Sequence, residues 1–359
     1  MRLSGRRLPD FGFGASGRLV RSTSPEVPMG GKLYRAPNMT PTTAPKTNSW
    51  HIPWQGSFLL LAATWGCSFW WIKLGLQVLA PVQVAFARLA IGAAALLIVS
   101  ALTHTRLPRK LSTWRHLFVV AMLLNSIPFT LFAFGETHIS SVLAGIINAA
   151  TPLTTLSVIL LAFPEEKPTA ERVFGLLVGF LGILVVVGVW EGLGSGEWAG
   201  VGACVVAVTC YGISFPYARR HLAGLPDSGI ALATGQVLCG AAVLLPFGLA
   251  AGPLHGPIAA EPVLGMLGLG ALGSGIAFIL NYQIVREAGP STASTVTYLT
   301  PLFAIAVGVA FLGETVVWHQ PVGGLLVLLG VAVSQGRARA VSRAVVGRFR
   351  PSRTEPTAD

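Results

Sequence analysis

Arg88 is the residue of this chain with the clearest potential for chemistry, because it lies inside an otherwise uncharged, apolar stretch at residues 82–103. An arginine within a lipid-embedded helix costs about 2.5–3.5 kcal/mol on insertion scales, so such a side chain usually faces a cavity or a partner. Its planar guanidinium suits a carboxylate or phosphate on a small ligand. Two structural alternatives stay open: an anchor that bonds backbone carbonyls, and a side chain that extends to the membrane surface, since Pro81 is only seven positions away.

Asn148 and Thr151 are spaced i, i+3 and therefore share one face of a predicted helix. Thr297 and Thr300 repeat this spacing later in the chain, and Tyr298 lies beside them. Hydroxyl and amide groups at these positions could bind a solute. They could equally belong to helices that pack closely through small residues, and both interpretations stay open.

A proline directly follows each of the two threonines that are matched in this way. Pro152 and Pro301 both lie within apolar stretches. Proline removes one backbone hydrogen bond of a helix and leaves a carbonyl that needs another partner. Because matched interruptions in two parts of a membrane protein indicate a binding site or a hinge, we treat Pro152 and Pro301 as predicted hinges.

Further candidate residues are aromatic or uncharged polar side chains inside apolar stretches. Trp65 and Tyr211 are deep in their stretches and occupy matching places in a repeated motif, so we expect them to line a cavity. Tryptophans near the ends of such stretches are more typical of interfacial anchors. The predicted substrate-binding set also includes three amides, Asn125, Gln236 and Asn281.

No catalytic, metal or cofactor site is predicted. No Asp, Glu or His lies near the middle of an apolar stretch, and the nearest glutamates lie at predicted ends: Glu136, Glu165, Glu287 and Glu314. A buried carboxylate that relays protons is therefore not predicted. The four cysteines form no CxxC pair, and no GxxxxGK[ST] motif for ATP occurs. We expect neither enzyme activity nor a bound cofactor.

Ten apolar stretches must position these side chains. Of 359 residues, 53% are hydrophobic and only 11% are charged, against about 25% charged in a typical soluble domain. A helix needs about 20 apolar residues to cross the hydrocarbon core and satisfies its own backbone groups there. The sequence therefore predicts an all-α polytopic membrane protein with spans near 56–74, 82–103, 115–135, 139–163, 172–190, 198–217, 229–251, 262–284, 289–312 and 320–336.

The net charge of +11 lies in the tails and connections rather than on one folded face, which argues against a nucleic-acid partner. When the connections are assigned to alternating sides, 23 of the 25 Lys and Arg residues fall on the same side. Basic residues accumulate on the cytoplasmic side of membrane proteins. Both termini are therefore expected in the cytoplasm, and the location that fits is a bacterial inner membrane.

The chain contains an internal repeat. T-P-L at 151–153 matches T-P-L at 300–302, and W-G-C-S-F at 65–69 matches Y-G-I-S-F at 211–215. Tandem units of five spans have opposite orientations because five is odd, so the predicted fold is ten transmembrane helices in two inverted five-helix repeats. The predicted divisions are a disordered basic N-terminal extension at 1–54, a first repeat at 55–190, a second repeat at 191–336 and a basic cytoplasmic tail at 337–359.

Several motifs follow one another along the chain. They are W-G-C-S-F followed by Lys73, Pro81 followed by Arg88, the two T-P-L motifs followed by Glu165 and Glu314, and glycine-rich fifth and tenth spans. Together they resemble the EamA-type branch of the drug/metabolite transporter superfamily over roughly residues 55–336. The resemblance implies ten spans, cytoplasmic termini, a central cavity between the repeats, and export or exchange of small metabolites.

The expected function is therefore a secondary transporter that exports or exchanges a small organic metabolite or drug-like solute by alternating access. A nucleotide-sugar or sugar-phosphate exchanger is the alternative within transport, although it would be expected to have more than one cavity Lys or Arg. An intramembrane enzyme or a structural membrane protein is the alternative from another class. The expected partners are a small-molecule substrate and membrane lipid, and a homodimer stays open as an assembly.

Overall fold

The computed structural model describes residues 53–162, 169–192, 194–222, 224–288, 293 and 295–334. Throughout these residues the regular structure is helical, without a strand. The predicted N-terminal extension up to residue 52, Glu165 and the predicted basic tail lie outside the described residues.

Eight helices in the described ranges are long and apolar enough to cross a membrane, and two shorter apolar helices follow them. In chain order they are α1 (Trp54–Leu76), α2 (Pro81–Leu102), α3 (Leu111–Glu136), α4 (Ser141–Leu161), α5 (Ala170–Val187), α6 (Ser195–His221), α7 (Gly229–Ala250), α8 (Ala260–Val285), α9 (Val296–Leu312) and α10 (His319–Ser334). Each predicted stretch overlaps one of these helices. That α9 and α10 also cross a membrane, and that the halves are inverted, stay predictions.

The helices expose apolar side chains and bury polar ones, the reverse of a soluble protein. Leu161 is 85% exposed and Leu102 is 76% exposed, whereas Arg88, Asn125 and Gln236 are buried. Contiguous exposed apolar surface of this kind marks a membrane or protein contact. The polar groups of the interior therefore require their own partners within the helix bundle.

Two glycines allow pairs of helices to cross at backbone distance. A Cβ atom on Gly66 of α1 would lie 2.8 Å from the carbonyl oxygen of Thr300 on α9. A Cβ atom on Gly212 of α6 would lie 2.8 Å from the carbonyl carbon of Thr154 on α4. The matched W-G-C-S-F and Y-G-I-S-F motifs thus have a packing cause, because each supplies the glycine at which a T-P-L helix crosses.

Helices α5 and α10 pack against each other in the same manner. A Cβ atom on Gly175 would lie 2.6 Å from the carbonyl oxygen of Gly330, and one on Gly182 would lie 2.9 Å from the carbonyl oxygen of Gly323. Small residues at an interface let membrane helices approach closely and gain dispersion contacts. The glycine-rich character of the predicted fifth and tenth spans is therefore explained by their contact with each other.

Helices α3 and α8 are each interrupted by a π-helical segment, at Met122–Ser126 and Gly268–Ile276. The first precedes Pro128, whose missing N–H cannot complete the regular ladder, and the second is rich in glycine. Segments of this type occur often at functional sites. Asn125 lies in the first and Ser274 in the second, so both interruptions bring a polar side chain into the interior.

Gly212→Val should lower the melting temperature of the purified protein by roughly 5 °C or more, because the added side chain forces α6 away from α4 and overpacking costs about 1–3 kcal/mol. Gly202→Val is the matched control, since Gly202 is on the same helix and has open space where its Cβ would be. Fluorescence-detected thermal unfolding in one detergent compares the two. Equal melting temperatures would show that the crossing at Gly212 is not tight.

Candidate functional site

A chamber lies between α1, α2, α3, α4, α6, α8 and α9. Its space is about 670 Å³, including a part that is open to solvent. Half of its lining residues are aromatic: Trp65, Phe69, Phe129, Phe132, Tyr211, Phe215 and Phe278. The others are Ser68, Ile72, Arg88, Leu124, Asn148, Asn281 and Thr297. The chamber therefore has mainly apolar walls with a few polar groups.

Arg88 is the one charged side chain among the described residues that line the chamber, and it is only 6% exposed. Its Nε donates to Ser274 Oγ at 2.9 Å, and its Nη2 donates to the carbonyl oxygen of Gly273 at 3.2 Å. The guanidinium carbon is 3.6 Å from the centre of the Phe129 ring, a cation–π contact. The π-helical segment of α8 thus anchors one edge of the guanidinium, while Nη1 has no hydrogen-bond partner within the described ranges.

Asn148 lines the same chamber from α4 and is 8% exposed. In the described part of the chain its Oδ1 has no hydrogen-bond partner. Leaving a buried acceptor unbonded costs about 1–3 kcal/mol. A ligand that donates an N–H or O–H group to this oxygen would recover that free energy.

Thr151 does not line the chamber. Its hydroxyl instead bonds a backbone carbonyl next to Pro152. The hydroxyl donates to the carbonyl oxygen of Asn148 at 2.7 Å. That carbonyl is the one that the missing N–H of Pro152 would have bonded in a regular helix. The predicted need of the freed carbonyl for a new partner is therefore met by the preceding threonine.

The two prolines lie in different local structures. Helix α4 is divided into Ser141–Asn148 and Thr151–Ala162, whereas α9 is continuous through Pro301. Thr300 donates to the carbonyl oxygen of Val296 at 3.2 Å. The hinge role of Pro152 and Pro301 stays a prediction. Only Pro152 lies next to an interruption of its helix.

A second space of about 980 Å³ adjoins the chamber and shares four lining residues with it: Leu124, Phe215, Phe278 and Asn281. It is lined by the ends of α6 and α8 and the beginning of α7, and it reaches the exposed residue Arg219. We call this space the vestibule. The end of the helices with Arg219, Asp227 and Val285 is called the open end, because the chamber reaches the surface there.

Six of the ten predicted substrate-binding residues lie together in the chamber wall: Trp65, Arg88, Asn148, Tyr211, Asn281 and Thr297. Gln236 lines the vestibule. Asn125, Thr151 and Tyr298 line neither space; Tyr298 packs against the apolar cluster of α4 and α10, because one residue along a helix turns the side chain by about 100° from Thr297. Substrate binding by the six stays a prediction.

Comparison with known protein families agrees with a bundle of membrane helices. The model of the EamA-like transporter family matches residues 53–188 and again residues 198–335. The chain belongs to the EamA-like transporter family. It is therefore an integral membrane protein and a membrane transporter, not an enzyme.

Relatives of this EamA-like transporter are similar along almost their whole length. An uncharacterized transporter of Bacillus subtilis, YdfC, is 24% identical over 83% of this chain and 96% of its own. A probable terminal-alkyne amino-acid exporter of Streptantibioticus cattleyicolor is 28% identical over 83% of this chain and 96% of its own. The uncharacterized inner membrane transporter YedA of Escherichia coli is 25% identical over 82% of this chain and 95% of its own. One solved crystal structure has the same fold, with a TM-score of 0.58 at 17% identity over 79% of this chain and 97% of its own.

At the end of the helices opposite the vestibule, this EamA-like transporter has a polar layer that we call the closed end. Lys73 Nζ donates to the carbonyl oxygens of Glu136 at 2.6 Å and Ile139 at 2.9 Å. Glu314, which follows α9, accepts from the backbone N–H of Ser141 at 2.8 Å and from its hydroxyl at 2.9 Å. Glu314 thereby caps the N-terminus of α4, where a negative charge is favourable.

The sequence predicted no buried carboxylate that relays protons, and it gave no indication that Glu136 is buried. Glu136 ends α3, as predicted, but is only 1% exposed. Helices α1, α4 and α6 pack around that end of α3. Position along a span therefore did not indicate burial, because the neighbouring helices extend past the end of this one.

The main residues that sequence reasoning missed are phenylalanines of the chamber wall. Phe is common on every face of membrane helices, so Phe129, Phe132 and Phe278 had no distinguishing signal. Phe69 and Phe215 did have one, because they are the matched last residues of W-G-C-S-F and Y-G-I-S-F and both line the chamber. The repeat alignment could have predicted this pair.

The buried amides Asn125 and Gln236 should behave as a coupled pair in unfolding experiments. Gln236 Nε2 donates to Asn125 Oδ1 at 2.6 Å. Asn125→Leu removes the acceptor of Gln236 Nε2, and Gln236→Leu removes the donor to Asn125 Oδ1, while Gln236 Oε1 also accepts from the Tyr282 hydroxyl at 3.3 Å. Each single variant should therefore cost about 1–3 kcal/mol, whereas the double variant should cost less than the sum. Thermal unfolding of the four proteins measures this coupling, with exposed Gln77→Leu as the control. Strictly additive losses would exclude an energetic role for this hydrogen bond.

Proposed function

We propose that this transporter carries a small organic anion or zwitterion with an apolar part. The observation that carries the proposal is Arg88, the one cationic side chain among the described residues of a chamber wall that is half aromatic. A carboxylate would neutralise the guanidinium and bond its Nη1 edge in the fork geometry that arginine favours. The rest of the substrate would contact Trp65, Phe69 and their aromatic neighbours.

Asn148 favours a substrate that is also a hydrogen-bond donor. Its unbonded Oδ1 accepts but cannot donate, so an ammonium or amine group of the substrate is the complement. Amino acids and related metabolites combine a carboxylate with an ammonium group. The relative from Streptantibioticus cattleyicolor, named as a probable amino-acid exporter, supports this class of substrate.

The mechanism that we propose is alternating access of two inverted halves, residues 55–190 and 191–336. If each helix is exchanged with its counterpart five helices away, the packed pair α1/α9 becomes α6/α4, and α2/α8 becomes α7/α3. The pairs α2/α7 and α5/α10 are unchanged by this exchange. A pseudo-twofold relation produces this pattern, and two matches to one family model support it. In this mechanism the present structure, open at one end and closed at the other, is one of two alternating conformations.

The sugar-phosphate alternative is disfavoured by the charge of the chamber. A phosphate of charge near −2 is usually bound by several cationic groups, but Arg88 is the only cation among the described lining residues. Lys73 lies at the closed end and bonds two backbone carbonyls there.

Arg88→Ala should weaken binding of carboxylate-bearing solutes by roughly tenfold to a hundredfold, because a charge-assisted hydrogen bond contributes about 1.5–3 kcal/mol. A thermal-shift screen of amino acids, nucleosides and sugar phosphates identifies a ligand, and its affinity and its flux in proteoliposomes are then measured. Arg88→Lys should lose part of the affinity, since it retains the charge but not the planar fork.

Arg115→Ala is the matched control, because Arg115 is exposed on α3 and lines neither space. It should bind and transport like the wild type. Unchanged ligand affinity in a folded Arg88→Ala variant would remove Arg88 from the site.

We also propose that the open end and both termini face the cytoplasm of a bacterium, in line with the basic-residue count and with the name of the Escherichia coli relative. A sided reporter fused after Gly194 should then report the outer compartment, and one fused after His221 the cytoplasm. Each fusion is the control of the other. The reverse pattern would invert the proposed orientation without affecting the proposed substrate class.

A further inference from the structure

The carboxyl group of Glu136 is buried, and among the described residues it has no hydrogen-bond partner. Its side chain is 1% exposed, and neither Oε1 nor Oε2 has a hydrogen-bond partner within the described ranges. An ionised carboxylate in such a place is strongly disfavoured unless donors satisfy it, so a group of this type normally takes up a proton instead. The protonated form is therefore the one that fits the closed end as it stands.

The charged groups around Glu136 have their own hydrogen-bond partners. Those that interact with it electrostatically are Lys73 from α1, Arg88 from α2 and Glu314 from the chain after α9. Lys73 donates to two carbonyls, Arg88 to Ser274 and Gly273, and Glu314 accepts from the N-terminus of α4. No donor from these groups bonds the Glu136 carboxyl in this conformation.

Two other titratable groups are close to Glu136 along the chain or across the helices. Cys204 of α6 lies within electrostatic range. His138 is exposed, and its Nδ1 lies 3.1 Å from the carbonyl oxygen of Phe134 and 2.8 Å from the hydroxyl of Thr137. Neither supplies a bond to the Glu136 carboxyl.

We propose that Glu136 is a proton-binding site that is protonated while the closed end is shut and ionised when that end opens. This inference rests on the alternating access proposed above. Opening must separate Glu314 from α4 and admit water, which would hydrate the Glu136 carboxylate and let it interact with the Lys73 ammonium. A proton bound to Glu136 therefore stabilises the shut conformation, and a low pH shifts the equilibrium toward it.

The test measures opening of the closed end directly and requires no substrate. Cys67, Cys204, Cys210 and Cys239 are replaced by Ala in the full chain, and Ile72→Cys places one thiol in the chamber wall nearest the closed end. A membrane-impermeant maleimide is added only on the closed-end side of oriented vesicles. Labelling rates are normalised to exposed Ser195→Cys in the same background, because thiol reactivity itself rises with pH.

With Glu136 present, the normalised rate should rise at least about fivefold from mildly acidic to mildly alkaline buffer, as ionisation populates the open conformation. Glu136→Gln is a neutral isostere that mimics the protonated acid, so it should label slowly at every pH. Glu261→Gln, an exposed glutamate at the beginning of α8, and His138→Gln should retain the pH dependence of the wild type.

A rate that does not change with pH, or a pH dependence that persists in Glu136→Gln, would overturn the proposal. These results are independent of the substrate. The prediction that Arg88→Ala loses substrate binding can therefore be confirmed while the prediction of a proton site at Glu136 is refuted, or the reverse.

Discussion

Two backbone-level helix crossings determine how the interior of this transporter is arranged. At each one a glycine, Gly66 or Gly212, meets the backbone of a T-P-L helix with no room for a side chain. Lipid is as apolar as the helix surfaces, so helices in a membrane associate through close packing and internal hydrogen bonds rather than through the hydrophobic effect. A side chain at either glycine would move the helix axes apart, and the positions of all neighbouring groups would change with them.

The residues next to these glycines owe their orientation to the crossings. Trp65 and Tyr211 precede the glycines and both reach the chamber wall, as do Phe69 and Phe215 at the ends of the same motifs. The close approach of α1 to α9 and of α6 to α4 therefore positions four aromatic rings. Their bulk in turn separates the remaining helices and leaves the space that the polar groups enter.

The sequence predicted those features that depend on composition and repetition, and missed those that depend on contacts between helices. Apolar length predicted the helices, and matched motifs predicted Trp65 and Tyr211 as wall residues. The π-helical segments direct Asn125 and Ser274 inward. The spacing of apolar residues did not predict these segments, because apolar residues occur on every face of both helices. The burial of Glu136 was missed for a related reason, since it depends on how far the neighbouring helices extend.

Arg88 is not matched by a charged residue in the internal repeat of the sequence. The register that pairs Trp65 with Tyr211 pairs Arg88 with Thr234, and these two residues have different environments. Arg88 lines the chamber, whereas Thr234 is fully buried and lies 3.0 Å from the hydroxyl of Ser100 on α2. Of this matched pair, one residue thus provides charge and the other packing, so the anionic group of the proposed substrate would lie toward α2 and α8. Under the proposed alternating access, Arg88, the one cation among the described lining residues, would orient a bound solute in both conformations.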